Sequence, residues 1–143
     1  MMGEADLQPE GFHSSPPGHS IATMMTPLIM LKDNRVRAVL GSGGSTRIRT
    51  VILQLISNLI DFGFSLERAV ERPRVHYQDG ILQCEQGYSD DVRSVLEKIG
   101  YQVRFWDCRS IYFGGAHCVG MGSEGSTGAG DPRRGGATSF PDL

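Results

Sequence analysis

A run of small residues at 41–45 (GSGGS) separates two apolar segments that have different periodicities. The residues before it, 36–40, favour a strand that returns from a partner at 28–32 through the turn signal Asp33-Asn34. After it, apolar residues recur every three or four positions up to Phe62, which predicts a largely buried helix that ends at Gly63. Glycines between a strand and a helix direct backbone N–H groups to one place, where the helix dipole favours an oxyanion, carboxylate or phosphate. The alternative is a plain tight turn that needs glycine for positive φ.

The rest of the chain alternates between helix and strand signals. Ser65 is placed to cap a second helix over 66–71, and strands at 74–77 and 81–85 flank the turn Asp79-Gly80. A third helix follows from 89 to 100, and further strands are predicted at 101–106 and 111–119. This order predicts an α+β fold or a layered α/β fold. We expect one partial domain over 1–143, with a loop at 1–20 and a glycine-rich tail at 120–143.

Composition excludes several function classes. The 143 residues carry 14 Lys and Arg against 16 Asp and Glu, a net charge of −2, which argues against nucleic acid or an anionic membrane as the main partner. No apolar run reaches the roughly 18 residues of a membrane span. The three cysteines form no C-x-x-C, and the four histidines have no metal-binding spacing, so neither a metal nor another cofactor is expected. Nothing in the sequence indicates a localisation.

No nucleophile stands out from the residues alone. Ser42, Ser45 and Cys118 lie near glycines, but the chain contains no G-x-S-x-G motif. The segment 131–134 (DPRR) fits either a solvated turn or an ion-pairing clasp.

Several segments, taken in order, resemble one family. They are 1–7 (MMGEADL), 23–27 (TMMTP), 41–48 (GSGGSTRI), 60–63 (IDFG), 69–76 (AVERPRVH), 112–117 (YFGGAH) and 130–134 (GDPRR). Together they resemble the γ-glutamyltransferases, also called γ-glutamyltranspeptidases. The resemblance implies an incomplete αββα sandwich of the N-terminal-nucleophile hydrolase type, with mostly antiparallel sheet and packed helices.

The resemblance also implies a reaction. Members of this family cut one precursor into two subunits and free an N-terminal threonine, which attacks γ-glutamyl amides such as glutathione and passes the glutamyl group to water or an amino acid. No Thr-x-His or Thr-Thr-His segment occurs in this chain. We therefore expect it to correspond to the later part of the small subunit, to be inactive alone, and to need a large subunit or a missing N-terminal segment as its partner. The alternative is a non-catalytic binding or interaction module derived from the same fold.

The site residues that the resemblance implies lie in three segments. Glu4 falls where the family has an acidic residue that holds the substrate α-amine. Thr23 and Met24 fall where many members place two serines on the α-carboxylate, and Met24 lacks the hydroxyl. Gly44 and Ser45 fall at the glycine pair whose N–H groups form the oxyanion hole, and the register of this pair is open by one residue in either direction.

Overall fold

The computed structural model describes residues 7–8, 10–11, 14–20, 22–122 and 125–140. Its strands and helices, in chain order, are β1 (Leu28–Lys32), β2 (Arg35–Gly43), α1 (Arg47–Ile60), α2 (Leu66–Glu71), β3 (Val75–Gln78), β4 (Ile81–Cys84), α3 (Asp90–Lys98), β5 (Gln102–Phe105), β6 (Gly115–Gly122) and β7 (Gly125–Gly130). Short 3₁₀ turns at 111–113 and 132–134 precede β6 and follow β7.

Four strands form an antiparallel sheet in the order β1-β2-β6-β7. Its first hairpin closes at Asp33 and Asn34, which both have positive φ, as a two-residue turn between twisted strands requires. Helices α1 and α2 cover one face of this sheet. The buried apolar residues of this core are Ala38, Leu40, Ile48, Val51, Ile52, Leu55, Ala69, Val70, Ala116, Cys118 and Ala129.

A second sheet has three strands in the order β3-β4-β5. Strands β3 and β4 form the hairpin predicted around Asp79-Gly80, and β5 runs parallel to β4 after the crossover through α3. Antiparallel pairs dominate the two sheets, and helices pack beside them. The predicted α+β class is confirmed.

The local helix signals act as expected. The Ser65 hydroxyl accepts the Arg68 N–H at 3.2 Å and caps α2. Gly63, which has a φ of 64°, follows the end of α1.

Three boundaries differ from the sequence prediction. Strand β2 runs through Gly41 to Gly43, because these residues stay paired with β6 as far as Gly43 opposite Gly115. Residues 111–113 form a 3₁₀ turn, because Gly114 reverses the chain with a φ of 73° before β6 begins. The glycine-rich segment after 120 contains β7, in which Ala129 faces the core beside Cys118.

The face of the four-stranded sheet opposite the helices is apolar and exposed. Ile29, Val39 and Val119 are direct cross-strand neighbours on this face, and they are 64%, 44% and 47% exposed. We call these three residues the outer apolar row. Apolar rows of this kind normally pack against another layer.

None of the helices described by the structure is long and apolar enough to cross a membrane.

Candidate functional site

The turn between β2 and α1 combines two residues of positive φ. Gly44 has a φ of 140° and Ser45 a φ of 53°. The carbonyls of these residues accept the N–H groups of Arg47 and Ile48 at 3.1 Å and 3.0 Å, which starts the helix. We call residues 44–46 the Gly44 turn. Among the described residues, the Gly44 N–H has no hydrogen-bond acceptor.

Gly44 is also required by close packing. A Cβ at this position would lie 2.9 Å from the Cα of Gly114, which is closer than real side chains approach. A Cβ at Gly114 would in turn lie 2.9 Å from the Gly43 carbonyl oxygen. The two glycines therefore let the Gly44 turn and the start of β6 touch through their backbones.

A buried ionic cluster lies behind this contact. It consists of four residues from three segments: Arg74, Glu85, Asp131 and Arg133. The Asp131 carboxylate accepts from Arg74 Nη2 at 2.6 Å and from Arg133 Nη1 at 3.2 Å. Arg133 also donates to both oxygens of Glu85, with its Nε at 2.7 Å from Oε1. The segment 131–134 is thus an ion-pairing clasp, and the alternative of a solvated turn is wrong.

Backbone groups complete the cluster. Asp131 accepts the Ala116 N–H at 2.7 Å, and Glu85 accepts the Arg74 and Ser110 N–H groups at 3.1 Å and 3.2 Å. Arg74 Nη1 donates to the carbonyls of Phe113 and Gly114 at 3.2 Å and 3.4 Å. Two cations and two anions are therefore neutralised together. One of the cations, Arg74, also binds the carbonyl of Gly114, which packs against Gly44.

The cluster shifts the pKa values of its members. Burial by itself raises the pKa of Asp131, but hydrogen bonds from Ala116 and Arg133 and the charge of Arg74 outweigh burial, so that the pKa is lowered. Burial and the neighbouring charge of Arg133 lower the pKa of Arg74, against the attraction of Asp131. For Arg133, burial lowers the pKa, but the bonds to Glu85 and Asp131 raise it overall. The opposite charges of the cluster thus outweigh burial for Asp131 and Arg133, whereas burial dominates for Arg74.

The predicted α-carboxylate residues lie in the segment before β1. Thr23 is exposed, and its hydroxyl accepts the Met25 N–H at 3.2 Å. Met24 is half-buried and packs against the core beneath the four-stranded sheet. Glu4 lies outside the described residues. The hydrogen bonds that Thr23 and Met24 make with described residues stay within this segment and do not reach the Gly44 turn.

A second polar group beside the Gly44 turn escaped the sequence analysis. Thr46, Thr50, His76 and Gln78 are joined by hydrogen bonds between α1 and β3. The Arg47 guanidinium lies 5.2 Å from the ring centre of Tyr112, and its Nε is buried with no partner among the described residues. One signal in the sequence was available, because His76 and Gln78 stand two residues apart and share a strand face.

No group of three or more His, Cys, Asp and Glu side chains among the described residues is arranged to hold a metal ion.

Comparison with known proteins decides the family. The family model described as Gamma-glutamyltranspeptidase matches residues 2–140. The chain belongs to the γ-glutamyltranspeptidase family.

Curated members of the family align with much of this chain. The glutathione hydrolase proenzyme of Escherichia coli (strain K12) is 36% identical over 112 residues, which are 76% of this chain and 19% of that protein. The Acylase ACY 1 proenzyme of Pseudomonas sp. (strain SE83) is 39% identical over 98 residues, or 68% of this chain and 18% of that protein. The chain therefore spans about a fifth of the length of these relatives.

Solved structures of γ-glutamyltranspeptidases share the fold. The enzyme from Pseudomonas nitroreducens complexed with L-DON has a TM-score of 0.77 at 28% identity, covering 90% of this chain and 67% of that chain. A variant of the Helicobacter pylori enzyme has a TM-score of 0.72 at 35% identity, covering 83% and 66%. The predicted family and its N-terminal-nucleophile hydrolase fold are confirmed.

Proposed function

We propose that the complete protein containing this chain transfers or hydrolyses γ-glutamyl amides such as glutathione. In this proposal the chain supplies the oxyanion donors at the Gly44 turn, and a large subunit or an N-terminal segment supplies the threonine nucleophile. Membership of the family supports the reaction. The observation that carries the role of this chain is the turn itself, where the Gly44 N–H, which has no acceptor in the described part of the chain, lies at the start of a 14-residue helix.

The Gly44 turn suits the charge that develops in acyl transfer. When the threonine oxygen adds to the γ-glutamyl carbonyl, the carbonyl oxygen becomes an anion, and fixed N–H donors stabilise it without reorganisation. The amine then leaves, and water or an amino acid attacks the glutamyl ester. Gly43 is paired with Gly115 inside the sheet, which favours Gly44 and Ser45 over Gly43 as the donor pair.

Substrate selection is the second part of the proposal. Glu4 is proposed to hold the α-amine and Thr23 the α-carboxylate. Met24 is proposed to line this region without binding the carboxylate, because its side chain packs against the core.

The departure at Met24 favours one second candidate function. The Acylase ACY 1 proenzymes match this chain about as well as the glutathione hydrolases do. An acylase whose acyl group has no α-carboxylate does not need side chains that bind one. Comparing γ-glutamyl and 4-aminobutyryl anilides as substrates separates the two candidates, because these acyl groups differ by the α-carboxylate alone.

The outer apolar row supports the proposed partner segment. Ile29, Val39 and Val119 form one apolar surface on the sheet face that the helices leave uncovered. Packing the partner's layer on this face would bury the row and stabilise both parts. We therefore expect the isolated chain to self-associate or to have a low melting temperature. A clean monomer with a sharp cooperative thermal melt would contradict this part of the proposal.

The test uses a γ-glutamyl anilide as substrate. We expect the complete protein to turn over and the isolated chain to be silent, because oxyanion donors without a nucleophile do not form the acyl-enzyme. In the complete protein, Gly44→Ala should lower kcat by about 10²-fold, since the new Cβ meets Gly114 and displaces the donors.

Gly63→Ala is the matched control for this substitution. Gly63 has a positive φ of 64° at the other end of α1, but a Cβ there meets no atom within 4 Å. This variant should lose about 1 kcal/mol of stability and keep its kcat. Equal kcat values for Gly44→Ala and Gly63→Ala in folded protein would remove the Gly44 turn from the mechanism.

A further inference from the structure

A series of hydrogen bonds, each with a defined donor and acceptor, links β3 to the Gly44 turn. The Thr50 hydroxyl lies 2.7 Å from His76 Nδ1, and His76 Nε2 lies 3.1 Å from Gln78 Oε1. Gln78 Oε1 also accepts from the Thr46 hydroxyl at 3.4 Å. Thr46 is the last residue of the turn, so this series of hydrogen bonds ends at the segment that carries the proposed oxyanion donors.

The orientation of the Gln78 amide fixes the direction of each bond. Gln78 Nε2 donates to the Asp79 carboxylate at 3.2 Å, so Oε1 faces His76 and Thr46 as an acceptor. His76 must then donate from Nε2, and its Nδ1 must accept the Thr50 O–H. Each donor in this series meets an acceptor when the imidazole is neutral.

His76 is suited to this fixed role. The side chain is 2% exposed, and its ring packs edge-on against Tyr112. Burial lowers the pKa of His76, so the ring is neutral at neutral pH. A buried neutral ring with both nitrogens bonded holds one orientation.

The Thr46 hydroxyl does not cap the first turn of α1, as the hydroxyl of a threonine at the N-cap normally does. Thr46 is the N-cap residue of α1, yet its side chain accepts no N–H from the first turn, because its backbone is already helical. The hydroxyl instead accepts from Arg47 Nη1 at 3.0 Å and donates to Gln78. The threonine is thus anchored to β3 and leaves the first turn of the helix without a side-chain cap.

We propose that Gln78 and His76 are positioning residues that hold the Gly44 turn in its strained conformation through the Thr46 hydroxyl. This inference rests on the proposed function, because it assigns the turn its role in the reaction. The positive φ of Ser45 is unfavourable for a residue other than glycine and persists where the surroundings hold it. Releasing Thr46 from Gln78 lets the turn relax and moves the donors away from the developing oxyanion.

The kinetic test uses the complete protein and a γ-glutamyl anilide. Gln78→Leu and Thr46→Val each remove one end of the Thr46–Gln78 bond, and we expect each to lower kcat at least tenfold with KM changed by less than about twofold. The oxyanion exists in the transition state and not in the bound substrate, which is why the effect falls on kcat. The double variant should be no slower than the slower single variant, because both break the same bond.

A conservative variant and a control separate positioning from general damage. Thr46→Ser keeps the hydroxyl, so it should retain most of the kcat that Thr46→Val loses. Gln102→Leu makes the same substitution at an exposed position of β5 and should leave kcat unchanged. If Gln78→Leu and Thr46→Val fold and match this control in kcat, the proposal is wrong.

Hydrogen exchange gives a readout that does not depend on activity. The variants Gln78→Leu and Thr46→Val should speed amide exchange over residues 44–50 and leave exchange over 115–120 unchanged. If the wild-type protein turns over no γ-glutamyl anilide, the proposed reaction fails, and exchange alone decides the positioning role. If Gln78→Leu does not fold, Thr46→Val carries both measurements. Unchanged exchange at the turn would overturn the inference.

Discussion

Asp131→Asn tests whether the buried ionic cluster stabilises the fold as a unit. The Asp131 carboxylate accepts four hydrogen bonds, from Arg74 Nη2, the Ala116 N–H, the Arg133 N–H and Arg133 Nη1. An asparagine keeps one acceptor oxygen and turns an amide NH₂ toward the remaining donors. The cluster then carries two buried cations against Glu85 alone.

The magnitude follows from what is left unpaired. Removing one partner from a buried ion pair typically costs about 3–5 kcal/mol, because the remaining charge stays desolvated. Each unsatisfied buried donor adds to this penalty, at about 1–3 kcal/mol. We therefore expect Asp131→Asn to lower the free energy of unfolding by at least about 3 kcal/mol.

Urea unfolding of the complete protein, followed by circular dichroism, measures this change. Asp107→Asn is the matched control, because Asp107 is exposed and outside the cluster, and we expect it to stay within about 0.5 kcal/mol of the wild type. A loss for Asp131→Asn of less than about 1 kcal/mol, with an unchanged denaturant slope, would refute the view that the cluster acts as a unit.

The lowered pKa of Asp131 adds a second check. Its contribution is present above the unfolded pKa of about 3.9 and is lost as the pH falls through the lower folded value, so the variant should lose less stability at acid pH than the wild type does.

Three further predictions concern pH, packing and thiol reactivity. Burial lowers the pKa of His76, so below pH ~6.5 the unfolded chain binds a proton that the folded chain does not. The free energy of unfolding, measured by urea titration, should therefore be lower at pH 5.5 than at pH 7.5. This decrease should be smaller in His76→Gln. Gly130→Ala should lower the melting temperature markedly, because its Cβ would meet the backbone of Gly136 and Ala137 at 2.4 Å, whereas Gly41→Ala, with open space around it, should not. Burial raises the pKa of Cys118 to about 11 and also raises that of Cys84, so iodoacetamide at pH 8 should leave both thiols unlabelled in native protein, as mass spectrometry of the digest will report.

Local signals predicted most of the elements correctly. The turns at Asp33-Asn34 and Asp79-Gly80, the cap at Ser65 and the stop at Gly63 each act within a few residues, so the sequence contains their whole cause. Strand β7 was not predicted, because its residues are small and show no apolar alternation. Its place in the sheet comes from pairing with β6, which no local pattern records.

The ionic cluster could not be predicted for a related reason. Asp131 meets Arg74 across 57 residues, and Arg133 meets Glu85 across 48 residues. Each of these side chains taken alone is typical of a solvated surface. Their shared burial depends on the packing of α2, β3 and the 3₁₀ turn at 132–134, so the segment 131–134 fitted two interpretations until the fold was known.

The cluster and the Gly44 turn are coupled through a single residue. Arg74 donates to the Gly114 carbonyl, and the Cα of Gly114 occupies the space that a side chain on Gly44 would need. The charges therefore fix Gly114 from behind, while Thr46 and Gln78 hold the turn from the side. The positive φ of Ser45 is unfavourable for a residue other than glycine, so contacts with other parts of the fold, these two among them, help to hold the turn in place. The residues that position the turn therefore lie far from it in the sequence: Gln78 in β3, Arg74 just before β3 and Gly114 just before β6.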